Sequence, residues 1–215
     1  MRTNPFFDAL QFLIQPAWTT AIYWLLVLGS IVIAIYVWRT LESQHSGQHV
    51  TNWLCRFFVG SMWWQQTLWK LPPLYTDNPS DPVNTGLHYW MTQMGNSAAI
   101  PAQADFVNHV VIPHFYFFAP IVYALEVLTA VSLLLGVFVR FWALIGALQI
   151  LNLWLGLYRA DGEWPWTYFF LLLLQVIFTV HKYGRSLGLD ALIVDRSARR
   201  QTLNGGLSRL LLKLT

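Results

Sequence analysis

At positions 115–139 the chain reads FYFFAPIVYALEVLTAVSLLLGVFV, an apolar run interrupted by one formal charge, Glu126. Crossing a bilayer takes about 20 mostly apolar residues, so this run reads as a membrane span with a carboxylate inside it. Working outward, comparable runs occupy 17–38 (AWTTAIYWLLVLGSIVIAIYVW), 50–69, 141–158 and 166–180, with Arg140 separating the third from the fourth. The chain is 56% hydrophobic and 11% charged, against roughly 25% charged residues in globular domains. These features predict an all-α integral membrane protein with five spans. The fifth run is short and either uses Trp164 and His181 at its ends or thins the bilayer locally. Ahead of the first span, NPFFDALQFLIQP has an amphipathic pattern suited to lying along the membrane surface. Arg2 and Asp8 precede an apolar run too long for the core of a cleavable signal, so none is expected.

Basic residues set the expected orientation. Arg39, Arg56 and Arg140 fall on one side, and seven of the thirteen basic residues follow Val180. Arg2, Lys70 and Arg159 fall on the other side, with Asp8, Asp77, Asp81, Asp105, Asp161 and Glu163. Five spans then place the amino terminus outside and the carboxyl terminus in the cytoplasm. The basic end reads as a cytoplasmic tail, not a nucleic-acid surface. The connection 71–114 faces outward and exceeds the usual 12–15-residue limit for a structureless loop. Its proline-rich start, KLPPLYTDNPSDPVN, reads as irregular, and the remainder as short helices lying on the membrane surface.

Polar groups inside spans are informative because each unpaired one costs several kcal/mol in lipid. Glu126 lies about eleven residues into its run, ~16 Å deep at ~1.5 Å per residue, and so near the midplane. An intramembrane carboxylate is a functional candidate, with Arg56 as its expected partner; the same pair would also serve as a lock between two helices. Asn152 and Gln175 fall at comparable depth on the fourth and fifth spans, with Gln149 one turn from Asn152. They read either as amides joining helices or, with Trp64, as the lining of a quinone pocket.

The second span ends in GSMWWQQTLWKLPP, 60–73. Trp63 and Trp69 suit headgroup anchoring, and a terminal lysine suits snorkelling. Gln65 and Gln66 fit that role poorly, and beside Lys70 they would suit a small oxyanion. His88, His109 and His114 come from the same side and would add protons or anion contacts. Several classes are excluded by pattern. No two histidines lie inside the spans, so a bis-histidine haem is not expected. The chain has no phosphate loop and no dinucleotide fingerprint. The single cysteine, Cys55, permits no internal disulfide or CxxC pair and reads as a packing residue.

Three segments, RFFVGSMWWQQTLWK, ALEVLTAVSLLLGVFVR and HKYGRSLGLDALI, resemble the DoxX/DoxD family in order and spacing, over about 53–193. The resemblance covers Arg56, Gly60, Lys70, Glu126, Gly136, Arg140, Gly184, Gly188 and Asp190. It implies a four-helix DoxX-like transmembrane bundle (50–193, with the outward loop 71–114). An extra transmembrane helix then lies within 1–49, and a basic cytoplasmic tail covers 194–215. It also implies the plasma membrane of a prokaryote and a role like that of the DoxD membrane subunit of thiosulfate:quinone oxidoreductase. Quinone would be a diffusible substrate, with no haem or metal, and a DoxA-like companion chain is implied; no DoxA-like domain is appended here. On that reading Glu126 and Arg56 are catalytic. Lys70, Gln65, Gln66, His109 and His114 bind the sulfur anion, while Trp64, Asn152 and Gln175 bind quinone. The alternative is an accessory subunit anchoring a larger respiratory complex.

Overall fold

Helix starts follow local chemistry. Asn4 opens α1 (Pro5–Ile14) by accepting the Phe6 N–H at 2.9 Å, with proline at the first helical position. Ser46 opens α3 (Gly47–Thr67) in the same way, accepting the His49 N–H. Between them lies α2 (Trp18–Thr40). The computed structural model describes residues 4–75, 86–199 and 214–215. Among these the chain is all-helical, with no strand. A 3₁₀ turn, Leu68–Lys70, extends α3. The 71–114 connection contains α4 (Leu87–Ser97), α5 (Pro101–Phe106) and a π-helical turn, Val107–Val111. Then come α6 (Phe115–Leu135), α7 (Val139–Gly156), α8 (Pro165–Val180) and α9 (Leu189–Arg199). Asp77, Asp81 and the rest of the expected irregular stretch from 76 to 84 lie outside the described residues, as do tail residues 200–213.

Among the described residues three helices are long and apolar enough to cross a membrane: Trp18–Thr40, Phe115–Leu135 and Val139–Gly156. α8 is apolar but has 16 residues, and the 21-residue α3 carries Arg56, Gln65 and Gln66. α3 packs along α6, α6 along α7, α7 along α8, and α2 against α6. Their shared core joins Tyr23, Trp63, Trp64, Leu133, Ala143 and Phe178. Leu25, Val32, Phe58, Leu148 and Val180 lie exposed on the outer faces.

The apolar run 115–139 is not one helix. Gly136 takes the left-handed conformation (φ 70°), and the N–H groups of Gly136 and Val137 both donate to the Ser132 carbonyl. α7 begins three residues later, so Arg140 lies in its first turn and is not the break. The 71–114 connection also differs from expectation. Its helices do not simply lie on a surface but pack into one end of the bundle. Leu87, Met91 and Val111 form a buried cluster with Phe115 and Ala119 of α6. Ala99 donates to the Leu155 carbonyl, and Arg159 to that of Ser97.

A close approach sets the α3–α6 register. A methyl built on Gly60 would meet Leu133 Cβ and the Leu134 nitrogen, each at 3.0 Å. Arg56 meets Leu133 and Leu134 while Lys70 meets Glu126, so the two helices run antiparallel. With Gly60 opposite Leu133–Leu134, equal rise per residue puts Thr67 level with Glu126. α3 therefore ends about halfway along α6, and the segment after it covers the rest of that face.

Candidate functional site

The 3₁₀ turn at the end of α3 swings Lys70 inward rather than toward solvent. Lys70 is 5% and Glu126 4% exposed, and Lys70 Nζ lies 2.5 Å from Glu126 Oε1. The ammonium also sits 4.2 Å from the centre of the Trp69 ring, whose electron-rich face attracts a desolvated cation. Glu126 Oε2 is buried and accepts no hydrogen bond. One turn earlier on α6, Tyr123 meets Tyr75 edge-on, with centroids 6.0 Å apart. Trp69 meets Trp90 of α4 at a tilt, with centroids 6.5 Å apart. The result is a buried ion pair beneath aromatic side chains, with spare acceptor capacity on one carboxylate oxygen. Such a group can take up and release a proton.

The structure corrects the expected Arg56–Glu126 pairing. Arg56 is fully buried, and its guanidinium donates to the carbonyls of Leu133 and Leu134 and, at 3.5 Å, to that of Ser186. The first two are end-of-helix carbonyls that lack intrahelical donors. Ser30 Oγ donates to the same Leu134 carbonyl at 2.6 Å. Close by, Asp190 accepts the N–H groups of Phe138 and Val139 at 2.8 and 3.2 Å and so caps α7. The Asp190 N–H donates to the Gly136 carbonyl. Gly188 packs so tightly on Gly136 that a methyl on Gly136 would lie 2.7 Å from Gly188 Cα. Arg56 is therefore a cap for α6 within a backbone joint, placed at the opposite end of the α3–α6 contact from Glu126.

The other candidates disperse. Gln65 and Gln66 are exposed and bond each other at 3.0 Å, so neither is directed at the buried Lys70. Lys70 is neutralised by Glu126 and is not the free cation expected for an oxyanion site. His109 and His114 are exposed, and each Nδ1 donates to its own helix, to the carbonyls of Asp105 and Val110. His88 is half-buried with its ring edge-on to Phe115. Asn152 is exposed, and its carbonyl and Oδ1 both accept from Gln103 Nε2. It therefore does not join Gln175 in a bundle pocket. Cys55 is exposed rather than packed.

Two of the expected quinone residues are interior. Trp64 is buried, and its Nε1 has no hydrogen-bond partner. Gln175 is 1% exposed, with Oε1 unpartnered. Among the described residues no three histidine, cysteine or acidic side chains gather as a metal site would require. Tyr123 was accessible to sequence reasoning, being three residues before Glu126 on one helical face. Tyr75 and Trp90 were not, because the fold of 71–114 alone brings them over α6. No protein-family model, curated protein or solved structure matches the chain.

Proposed function

We propose that the chain is an integral membrane protein crossing the bilayer with α2, α3, α6, α7 and α8, its amino terminus outside. Its role is that of the membrane subunit of a quinone-linked oxidoreductase in a prokaryotic plasma membrane. The observation that carries this reading is the Lys70–Glu126 pair, buried among apolar helices with one carboxylate oxygen unsatisfied. Ionisable groups in such a setting mark proton and substrate pathways. Reduction of a quinone to quinol takes two electrons and two protons, and Glu126 supplies a site from which protons pass to the quinone. The electrons come from a small reduced sulfur anion such as thiosulfate, two of which join as tetrathionate and release two electrons. A DoxA-like companion chain delivers them. The resemblance to the DoxX/DoxD family supports this donor. It gains weight from the way Gly136 meets Gly188, Arg56 and Asp190 at the joint after α6.

One observation favours an accessory role. Lys70 and Arg56 are both engaged within the chain, as they would be if their work were to hold helices together. One experiment separates the two readings. The chain is purified with its co-purifying partner, and thiosulfate-dependent reduction of a soluble quinone analogue is measured. Glu126→Gln is expected to lower turnover roughly 100-fold, the scale of a lost proton-transfer group, in a complex that still assembles with its partner. An intact complex of Glu126→Gln or Lys70→Ala that turns over like wild type leaves only the accessory role.

A further inference from the structure

Two buried side-chain oxygens, Glu126 Oε2 and Gln175 Oε1, have no hydrogen-bond partner, and Thr129 ties their positions together. Thr129 follows Glu126 by three residues on α6 and is fully buried, so one helical turn separates them on the same face. At Gly146 of α7, an added methyl would lie 3.0 Å from Gln175 Oε1 and 3.3 Å from Thr129 Cγ2. The Gln175 amide and Thr129 of α6 thus both lie against the bare backbone of α7 at Gly146, Thr129 being one turn from Glu126. Both orphaned atoms are acceptors while Glu126 is ionised, so neither can satisfy the other in that state. A proton on Glu126 Oε2 changes this, because the carboxyl then becomes a donor.

We propose that Gln175 is the positioning residue for the protonated form of Glu126, and Lys70 the partner of its ionised form. Glu126 then exchanges its proton by turning between two fixed partners, the Lys70 ammonium on the α3 side and the Gln175 carbonyl oxygen on the α8 side. The titratable groups facing it are Lys70, from the turn after α3, and Tyr123, on α6 itself, with Tyr75 behind Tyr123. From α8 the group proposed to face it is the neutral Gln175, whose amide lies beside Gly146 and Thr129. This rests on the reading of Glu126 as a proton-exchanging group. It deepens that reading by naming where the proton is held.

The test is infrared spectroscopy of the full chain in lipid nanodiscs, titrated with pH. Wild type is expected to show a carboxylic-acid carbonyl band that appears on acidification and is missing in Glu126→Gln. In Gln175→Leu the band should move to higher frequency, since its O–H has lost its acceptor. Its titration midpoint should fall by roughly half to one pH unit, the size of one net hydrogen bond to the neutral form. Gln175→Asn, which keeps a carboxamide, provides a folded comparison and should lie between the two. A band and midpoint in both Gln175 variants identical to wild type, with unchanged melting, overturn the proposal. So does a difference spectrum, wild type minus Glu126→Gln, that contains no titrating carboxylic-acid band, the bands of Asp190 and the exposed carboxyls cancelling in that difference. The quinone assay fails independently: if Gln175→Leu moves the band while Glu126→Gln reduces quinone normally, the proton exchange stands and the oxidoreductase reading falls.

Discussion

A lysine and a glutamate taken out of water each lose several kcal/mol of hydration, and their attraction restores it only in good geometry. For Lys70 and Glu126 the consequence is asymmetric. Lys70→Met leaves the carboxylate buried without a partner and is expected to cost about 3–5 kcal/mol, whereas Lys70→Met with Glu126→Leu restores most of that loss. Thermal melting of the four forms in one detergent checks this; a single variant as stable as wild type means the two groups do not hold a buried ion pair. Both residues stand out in the sequence as charges within or at the end of apolar runs, but their pairing does not. Sequence depth places the ends of the spans level, whereas Gly60 sets α3 so that it stops halfway along α6. A buried charge seeks an opposite charge, but orphaned carbonyls at a helix end also attract a guanidinium, and Arg56 goes to those. Gln65 and Gln66 needed a partner, as their types implied, and they found it in each other.

Helix ends were the least legible elements. Inside FYFFAPIVYALEVLTAVSLLLGVFV nothing polar announces a stop, and only Gly136, with its tolerance of φ 70°, marks it. The joint that follows depends on residues distant in sequence. Arg56 and Ser30 supply donors to the last carbonyls of α6, and Asp190 supplies the acceptor for the first N–H groups of α7. This joint has a pH signature. Burial pushes the Asp190 carboxyl up from 3.8 to about 6, against the opposing pull of the Phe138 and Val139 N–H groups, Arg56 and Arg185. A carboxyl whose value is raised on folding holds its proton more tightly in the native chain. Its contribution to stability is therefore full below 3.8 and is lost as pH rises through about 6. Relative to Asp190→Asn, which keeps a capping oxygen but does not titrate, the melting temperature of wild type is expected to rise as pH falls from about 7 to about 4. Parallel curves for the two proteins across that window mean that Asp190 is not the titrating cap.

At the scale of the whole chain, the helical class and the helix order were legible because long apolar runs admit few other structures. The burial of 71–114 was not, since an amphipathic face suits a lipid surface and a neighbouring helix equally well. Leu87, Met91 and Val111 chose the neighbour, α6, whose far half α3 leaves uncovered. The shortest of the proposed spans is α8. Its 16 residues rise ~24 Å at ~1.5 Å each, short of the ~30 Å hydrocarbon core, so its crossing requires a thinned bilayer or the flanking Trp164 and His181. Asp161 and Lys182 are exposed and bracket this helix, which makes them a direct test once the exposed Cys55 is replaced by serine. In intact cells a membrane-impermeant thiol reagent is expected to label Asp161→Cys, and to label Lys182→Cys only after permeabilisation. The reverse pattern keeps the crossing and inverts the orientation. Labelling of both from the outside means that α8 does not span, and both termini then lie on one side of the membrane.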